Sequence, residues 1–130
     1  MKKIIYSTII VALVTLASCS KDAKINKRID GTWKVTIDDG EAVSTGDAIT
    51  YEFSKSDKKE GTGSVKFTDE VGNSFGQDFT YTLADEKLSI TTTSTFLGAT
   101  TQVYDVVEYS KTKLKISDTV DGDITEMEKM

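Results

Sequence analysis

Phe75-Gly76-Gln77-Asp78-Phe79-Thr80-Tyr81-Thr82-Leu83-Ala84-Asp85-Glu86-Lys87-Leu88-Ser89-Ile90-Thr91 decides the fold. Phe75, Gln77, Phe79, Tyr81 and Leu83 share one parity, and Leu88 and Ile90 share the next, against Lys87, Ser89 and Thr91. Successive side chains of a strand point to opposite faces, so this alternation reads as two half-buried strands. Asp85-Glu86 between them suits a tight connection. The same period of two extends both ways. Trp33, Val35 and Ile37 mark one strand upstream, Ile49, Tyr51 and Phe53 a second, and Val65 and Phe67 a third. Downstream, Val103 to Tyr109, then Leu114 and Ile116, then Ile124 and Met127 mark three more. Asp39-Gly40, Val71-Gly72-Asn73, Ser110-Lys111 and Asp121-Gly122-Asp123 supply the turns. Short connections imply antiparallel neighbours, and eight such strands close into an all-β, up-and-down barrel that leaves no exposed edge.

Two places break the alternation. Asp105 shares parity with Val103, Val107 and Tyr109, while Tyr104 and Val106 point the other way, so a bulge near Val106-Val107 is expected. Ile124, Met127 and Met130 are spaced by three, which predicts an irregular or frayed last strand. No ten-residue stretch carries an amphipathic helical stripe.

Composition narrows the function. The chain has 130 residues, 38% hydrophobic and 28% charged, which suits one folded domain. Histidine and proline are absent, so histidine-based triads, histidine metal sites and polyproline ligands are excluded. One cysteine cannot form an internal disulfide or a cysteine-rich zinc site. A net charge of −5 and a pI near 4.7 argue against nucleic acid as a partner.

The N-terminus carries an address. Lys2-Lys3 precede Ile4 to Leu16, thirteen uncharged and mostly apolar residues, a length that fits a secretory signal and falls short of a membrane span. Leu16-Ala17-Ser18-Cys19 resembles the lipobox of bacterial lipoproteins, whose cysteine takes a diacylglyceryl group through a thioether. The resemblance implies cleavage before Cys19, acylation there with palmitate-like chains, and a stable membrane anchor. Residues 1–18 are then signal peptide, 19–28 lipidated cysteine and polar tether, and 29–130 the barrel domain. Residues 1–18 contain two of the 16 basic residues and none of the 21 acidic ones, so the mature 112 residues carry a net −7. Attachment is expected through lipid alone, without attraction to anionic surfaces. Ser20 follows the cysteine where aspartate would mark retention at the inner membrane, and Lys21-Asp22 resembles a surface-export signal. The implied location is the outer membrane, on its periplasmic or cell-surface face; a plain polar tether over Ser20 to Asn26 is the other reading.

Gly31-Thr32-Trp33 opens the first strand after Lys24-Ile25-Asn26-Lys27-Arg28-Ile29-Asp30. This resembles the Gly-x-Trp signature of lipocalins, in which the tryptophan plugs the closed end of the barrel. Lys87 to Thr91 and Tyr104 to Ile116 add to a resemblance to small lipocalin-like lipoproteins of Gram-negative bacteria, covering roughly residues 28–128. It implies a lipocalin-like barrel and structural roles for Gly31 and Trp33.

No residue set recommends an enzyme, and no cofactor or metal is expected. The paired acids Asp38-Asp39, Asp69-Glu70 and Asp85-Glu86 fall at turns, where carboxylates shape backbone. Asp118, Asp121 and Asp123 alternate as in a calcium loop but lack the terminal bidentate glutamate, and a hairpin explains them. Asp118-Thr119-Val120 resembles a short O-glycosylation sequon, which marks Thr119. Gln77 faces inward between Phe75 and Phe79, where its amide requires a side chain, a water or a ligand, or a local change of register.

Roughly 24 inward positions in an eight-stranded barrel either fill the interior or leave room for one small ligand. Trp33, Tyr51, Phe53, Phe67, Phe75, Phe79 and Tyr81 fill much of it. The expected function is a lipid-anchored binding protein with a small apolar ligand at the open end; the alternative is an envelope lipoprotein with a filled barrel that docks protein partners. Alternate connections gather at one end, so the loops Glu41 to Gly46, Asp69 to Ser74 and Phe96 to Ala99 should lie opposite Trp33. Phe96, Leu97, Val43 and Gln77 are the candidate ligand-binding residues.

Overall fold

Each alternating run forms a strand in the computed structural model, which describes residues 21–130. The strands are β1 (Gly31–Asp38), β2 (Glu41–Ala42), β3 (Ala48–Asp57), β4 (Glu60–Thr68), β5 (Ser74–Ala84), β6 (Lys87–Ser94), β7 (Gly98–Tyr109), β8 (Lys113–Asp118) and β9 (Ile124–Lys129). The short β2 only folds back on the end of β1. The other eight follow one another in antiparallel order, and β9 returns to pair with β1. The sheet is therefore a closed up-and-down barrel.

Register fixes which side chains face in. Trp33, Tyr51, Val65 and Gln77 form one cross-strand row, and Phe53, Gly63, Phe79 and Thr92 the next. Gly61 and Gly63 lie beneath the rings of Tyr81 and Phe79, so close that a Cβ at either position would collide with ring and backbone. Glycine is required there because the aromatic ring occupies the volume a side chain would need. Phe53 stacks on Tyr51 at 5.9 Å and meets Phe79 and Tyr81 edge-on at 5.5 and 5.4 Å. Below the half-buried Tyr51, the rings of Phe53, Phe79 and Tyr81 are buried with Trp33, Leu83, Leu88, Leu114, Ile116 and Met127 and fill the lower half of the barrel.

Residues 21–29 form a helix, α1, and not the flexible tether expected over 19–28. Asp22, Ile25, Asn26 and Ile29 recur at the spacing of one helical face, and all four are buried. Half of that face is polar, so no apolar stripe announced it. Asn26 Nδ2 donates to the carbonyls of Asp57 (2.7 Å) and Glu60 (3.3 Å), while the Tyr81 hydroxyl donates to Asn26 Oδ1 (2.6 Å). The Asp22 carboxylate accepts the backbone N–H groups of Asp85 and Glu86 at 3.0 and 2.9 Å. Those two turn residues have φ of 51° and 63°, a left-handed geometry unusual for glutamate, and the buried carboxylate fixes it.

Trp33 is fully buried beneath this plug, and its Nε1 donates to the Ile29 carbonyl at 2.7 Å. The last strand is regular against β8 but shifts register against β1 between Val35 and Ile37, so it is irregular, as its spacing predicts, without being frayed; its inward residues are Thr125, Met127 and Lys129 and not Ile124. Lys129 lies 5.0 Å over the Trp33 ring and donates to the carbonyls of Arg28 (3.3 Å) and Asp30 (2.6 Å), beside the C-terminus of α1. Gly31, at φ 128°, lies against the same lysine; a Cβ there would come within 2.8 Å of Lys129 Cε. The register shift between Val106 and Glu108 is the bulge that leaves Asp105 outward, paired with Lys87.

Candidate functional site: the open end of the barrel

The pairing of β5 with β6 runs from Ala84↔Lys87 to Phe79↔Thr92 and ends there. The pairing of β4 with β5 continues to Thr68↔Ser74, so this hairpin overhangs the shorter β6–β7 hairpin. Inward-facing side chains on the overhang have no opposite wall. Phe67 and Phe75 share the inward parity of the buried Phe53 and Phe79, yet are 42% and 70% exposed. Ile49, Tyr51, Val65, Gln77 and Tyr104 are half-buried beside them. The upper half of the barrel is thus an open cup with an apolar wall, floored by the rings of Tyr51 and Phe79, 6.1 Å apart.

Polar groups in the cup are few. The Tyr104 hydroxyl donates to Gln102 Oε1 at 3.0 Å. Burial, with the nearby Tyr51 and the carboxylates of Asp118, Asp39 and Asp121, pushes Tyr104 well above the usual phenol range. Burial and then Asp38 and Asp39 push Tyr51 up as well. Both phenols therefore stay protonated at neutral pH as hydrogen-bond donors.

The rim has one sign of charge. The four connections at this end carry Asp39, Glu41, Asp47, Asp69, Glu70, Asp121 and Asp123, and no lysine or arginine. Several of these acids shape their own turns. Asp69 Oδ1 accepts the N–H groups of Val71 (3.0 Å) and Asn73 (2.8 Å), and the Asn73 bonds hold its carboxyl below the usual carboxylate range. Asp118 Oδ1 accepts the Val120 N–H at 2.8 Å and Asp121 Oδ1 the Asp123 N–H at 3.0 Å, which accounts for the alternating acids. Crowding by Asp121 pushes Asp123 up, and burial does the same to Asp38. No group of three or more metal-ligating side chains is assembled among the described residues.

The sequence candidates spread over this end. Gln77 faces into the cup opposite Val65. Val43 is half-buried against the core, its N–H donating to the Thr36 carbonyl at 3.1 Å. Phe96 and Leu97 form the tip of the β6–β7 connection, 96% and 82% exposed, and are not part of the core. Thr119 is exposed at the β8–β9 connection, its hydroxyl donating to the Val103 carbonyl at 3.0 Å. Cys19 lies outside the described residues. Phe67 and Phe75, expected among the residues that fill the barrel, instead stand exposed on the cup wall. The signal for this is the spacing of turns: Val71-Gly72 lies farther from Asp85 than Phe96-Leu97 does from Glu86.

A second concavity, about 580 Å³, lies on the outer wall over β3 to β6. Glu52, Ser54, Thr62, Asp78, Thr80 and Thr91 give it a polar lining. Phe79 is its one apolar side chain, whereas Ile49, Val65, Phe67 and Phe75 line the cup, which is therefore the candidate site.

No protein-family model matches the chain, and no curated protein matches it. Among solved structures, a lipocalin-like protein from Bacteroides uniformis aligns with a TM-score of 0.58 and 20% identity, over 79% of this chain and 99% of that one. EF1p2_mFAP2b, solved bound to DFHBI, aligns with a TM-score of 0.54 and 15% identity, over 83% of this chain and 98% of that one. These likenesses show a lipocalin-like barrel fold.

Proposed function

We propose that the protein is a lipid-anchored lipoprotein of the outer membrane whose barrel holds a small apolar ligand in its open cup. The observation that carries the binding reading is the pair Phe67 and Phe75, aromatic, inward-facing and uncovered. Exposed apolar surface in a concave setting favours occupancy by something apolar. The acidic rim and the protonated Tyr51 phenol select further: a neutral or cationic ligand with an acceptor group fits, and a fatty-acid anion is repelled. The DFHBI bound in the EF1p2_mFAP2b structure supports the capacity of this barrel type to bind a small molecule. The anchor rests on Leu16-Ala17-Ser18-Cys19.

Fluorescence titration with the neutral dye Nile red and the anionic dye anilinonaphthalene sulfonate tests the binding reading. Nile red should bind saturably and the anionic dye at least several-fold more weakly. A Phe67→Ser/Phe75→Ser variant should lose Nile red binding; equal binding by variant and parent sinks the proposal. For the anchor, Cys19→Ala should abolish fatty-acid labelling and release the protein from the membrane fraction, and retained labelling contradicts it. The fully exposed Phe96-Leu97 tip favours the alternative of a docking lipoprotein. That reading requires Phe96→Ser/Leu97→Ser to lose protein partners while Nile red binding stays intact.

A further inference from the structure

The two ends of the barrel carry opposite charge, which a net figure conceals. The four connections at the open end hold seven acidic residues and no basic one. At the closed end, α1 and the β3–β4, β5–β6 and β7–β8 turns hold seven basic residues against three acidic ones. Lys21, Lys24, Lys27, Lys58 and Lys111 are exposed there. Two of the three acids at this end are engaged, one of them by Lys21 itself. Asp22 is buried with its carboxylate on the Asp85 and Glu86 amides, and Glu86 pairs with Lys21 at 2.9 Å. Of the flanking acids, Asp30 and Asp57 accept the backbone N–H groups of Lys55 and Lys58 at 2.9 and 2.7 Å. Glu60, also flanking, is exposed.

These pieces share one surface. Asn26 bonds α1 to the carbonyls on either side of the Lys58-Lys59 turn, Asp22 bonds it to the β5–β6 turn, and Lys129 joins its C-terminal carbonyls to the β7–β8 turn through its own N–H on Thr112. Residues 1–20 meet the described chain at Lys21, on this same surface.

We infer that the closed end is a membrane-facing surface that engages anionic lipid headgroups, with the acidic cup directed away from the bilayer. A mature chain of net −7 is repelled by such a bilayer in most orientations and attracted through this end alone. The inference stands apart from the cup's ligand. It complements the anchor at Cys19 without requiring it, and replaces the expectation that charge plays no part in attachment.

The test uses residues 20–130, which lack the cysteine and contain every described core residue and paired strand. Co-sedimentation is measured with phosphatidylcholine vesicles and with vesicles containing about 40% phosphatidylglycerol, in low salt and in about 0.5 M salt, where screening reaches within a few ångströms. The expected result is at least fivefold more bound protein on the anionic vesicles, lost in high salt. Lys24→Glu/Lys27→Glu on the helix, and separately Lys58→Glu/Lys111→Glu on two turns, should each abolish that excess. Lys66→Glu, exposed toward the other end, should leave it unchanged, and circular dichroism verifies folding of each variant. Equal partition onto both vesicle types overturns the inference, as does a loss produced by Lys66→Glu as large as that from the closed-end variants.

Discussion

Asn26 joins the helical plug to the barrel, and Asn26→Ala tests whether that plug is real. The side chain is fully buried and makes three hydrogen bonds, to the carbonyls of Asp57 and Glu60 and from the Tyr81 hydroxyl. Each such bond contributes about 1 kcal/mol net. The two carbonyls sit at exposed residues and can recover water. The Tyr81 ring is buried, so its orphaned hydroxyl adds roughly 1–3 kcal/mol. Alanine returns about 0.5 kcal/mol of helix propensity. The sum is a loss of about 3.5–5.5 kcal/mol, a large fraction of the roughly 5–15 kcal/mol that holds a domain of this size. Urea denaturation followed by far-ultraviolet circular dichroism measures it. Tyr81→Phe alone should cost about 1–2 kcal/mol, and the double variant should fall short of the summed losses by about 1 kcal/mol or more, because the orphaned hydroxyl is gone. A cost for Asn26→Ala within 0.5 kcal/mol, or strict additivity, means that residues 21–29 do not dock and the tether reading was right.

Four further outcomes are expected. Trp33→Ala should lose about 3–5 kcal/mol by thermal or chemical unfolding, since a fully buried indole leaves a cavity and an unpaired Ile29 carbonyl. Gly31→Ala should lose on the order of 1–3 kcal/mol, because φ of 128° and the Lys129 stem both oppose a Cβ; an unchanged melting temperature contradicts this. Phe96→Ser/Leu97→Ser should leave the melting temperature within a degree or two of the parent, since both side chains are already in water. Stability should fall as pH rises above about 10. Burial, followed by the charge of Asp30, pushes Tyr81 up to about 12, and Tyr51 and Tyr104 are raised too. The native state keeps those protons while the unfolded chain releases them, so the contribution is full below about pH 10 and lost through the folded values. A flat stability profile from pH 9 to 12 argues against buried phenols.

The barrel was legible because its evidence is local. Alternation at Phe75 to Leu83, acids and glycines at turns, and one misfit at Val106-Val107 each act within a few residues, and the observed pairing and bulge follow them. What escaped depends on partners distant in sequence. Asp22 and Asn26 look like tether residues until the carbonyls of Asp57 and Glu60 and the amides of Asp85 and Glu86 are placed opposite them. Lys129 looks like a solvated tail residue until Trp33 and the end of α1 arrive beneath it. The cup escaped for a related reason. Parity correctly sends Phe67 and Phe75 inward, but burial also needs an opposite wall, and that depends on hairpin length. The charge segregation was equally hidden, because seven acids and seven bases lie in alternating connections and average out along the chain.

The most direct test of the central claim is an amide chemical-shift map of the protein titrated with Nile red. Binding in the cup predicts saturable shifts at Ile49, Val65, Phe75, Gln77 and Tyr104, with residues around α1 and Leu88 unmoved. Shifts confined to Thr62, Thr80 and Thr91 on the outer wall, or no saturable shifts at all, contradict it.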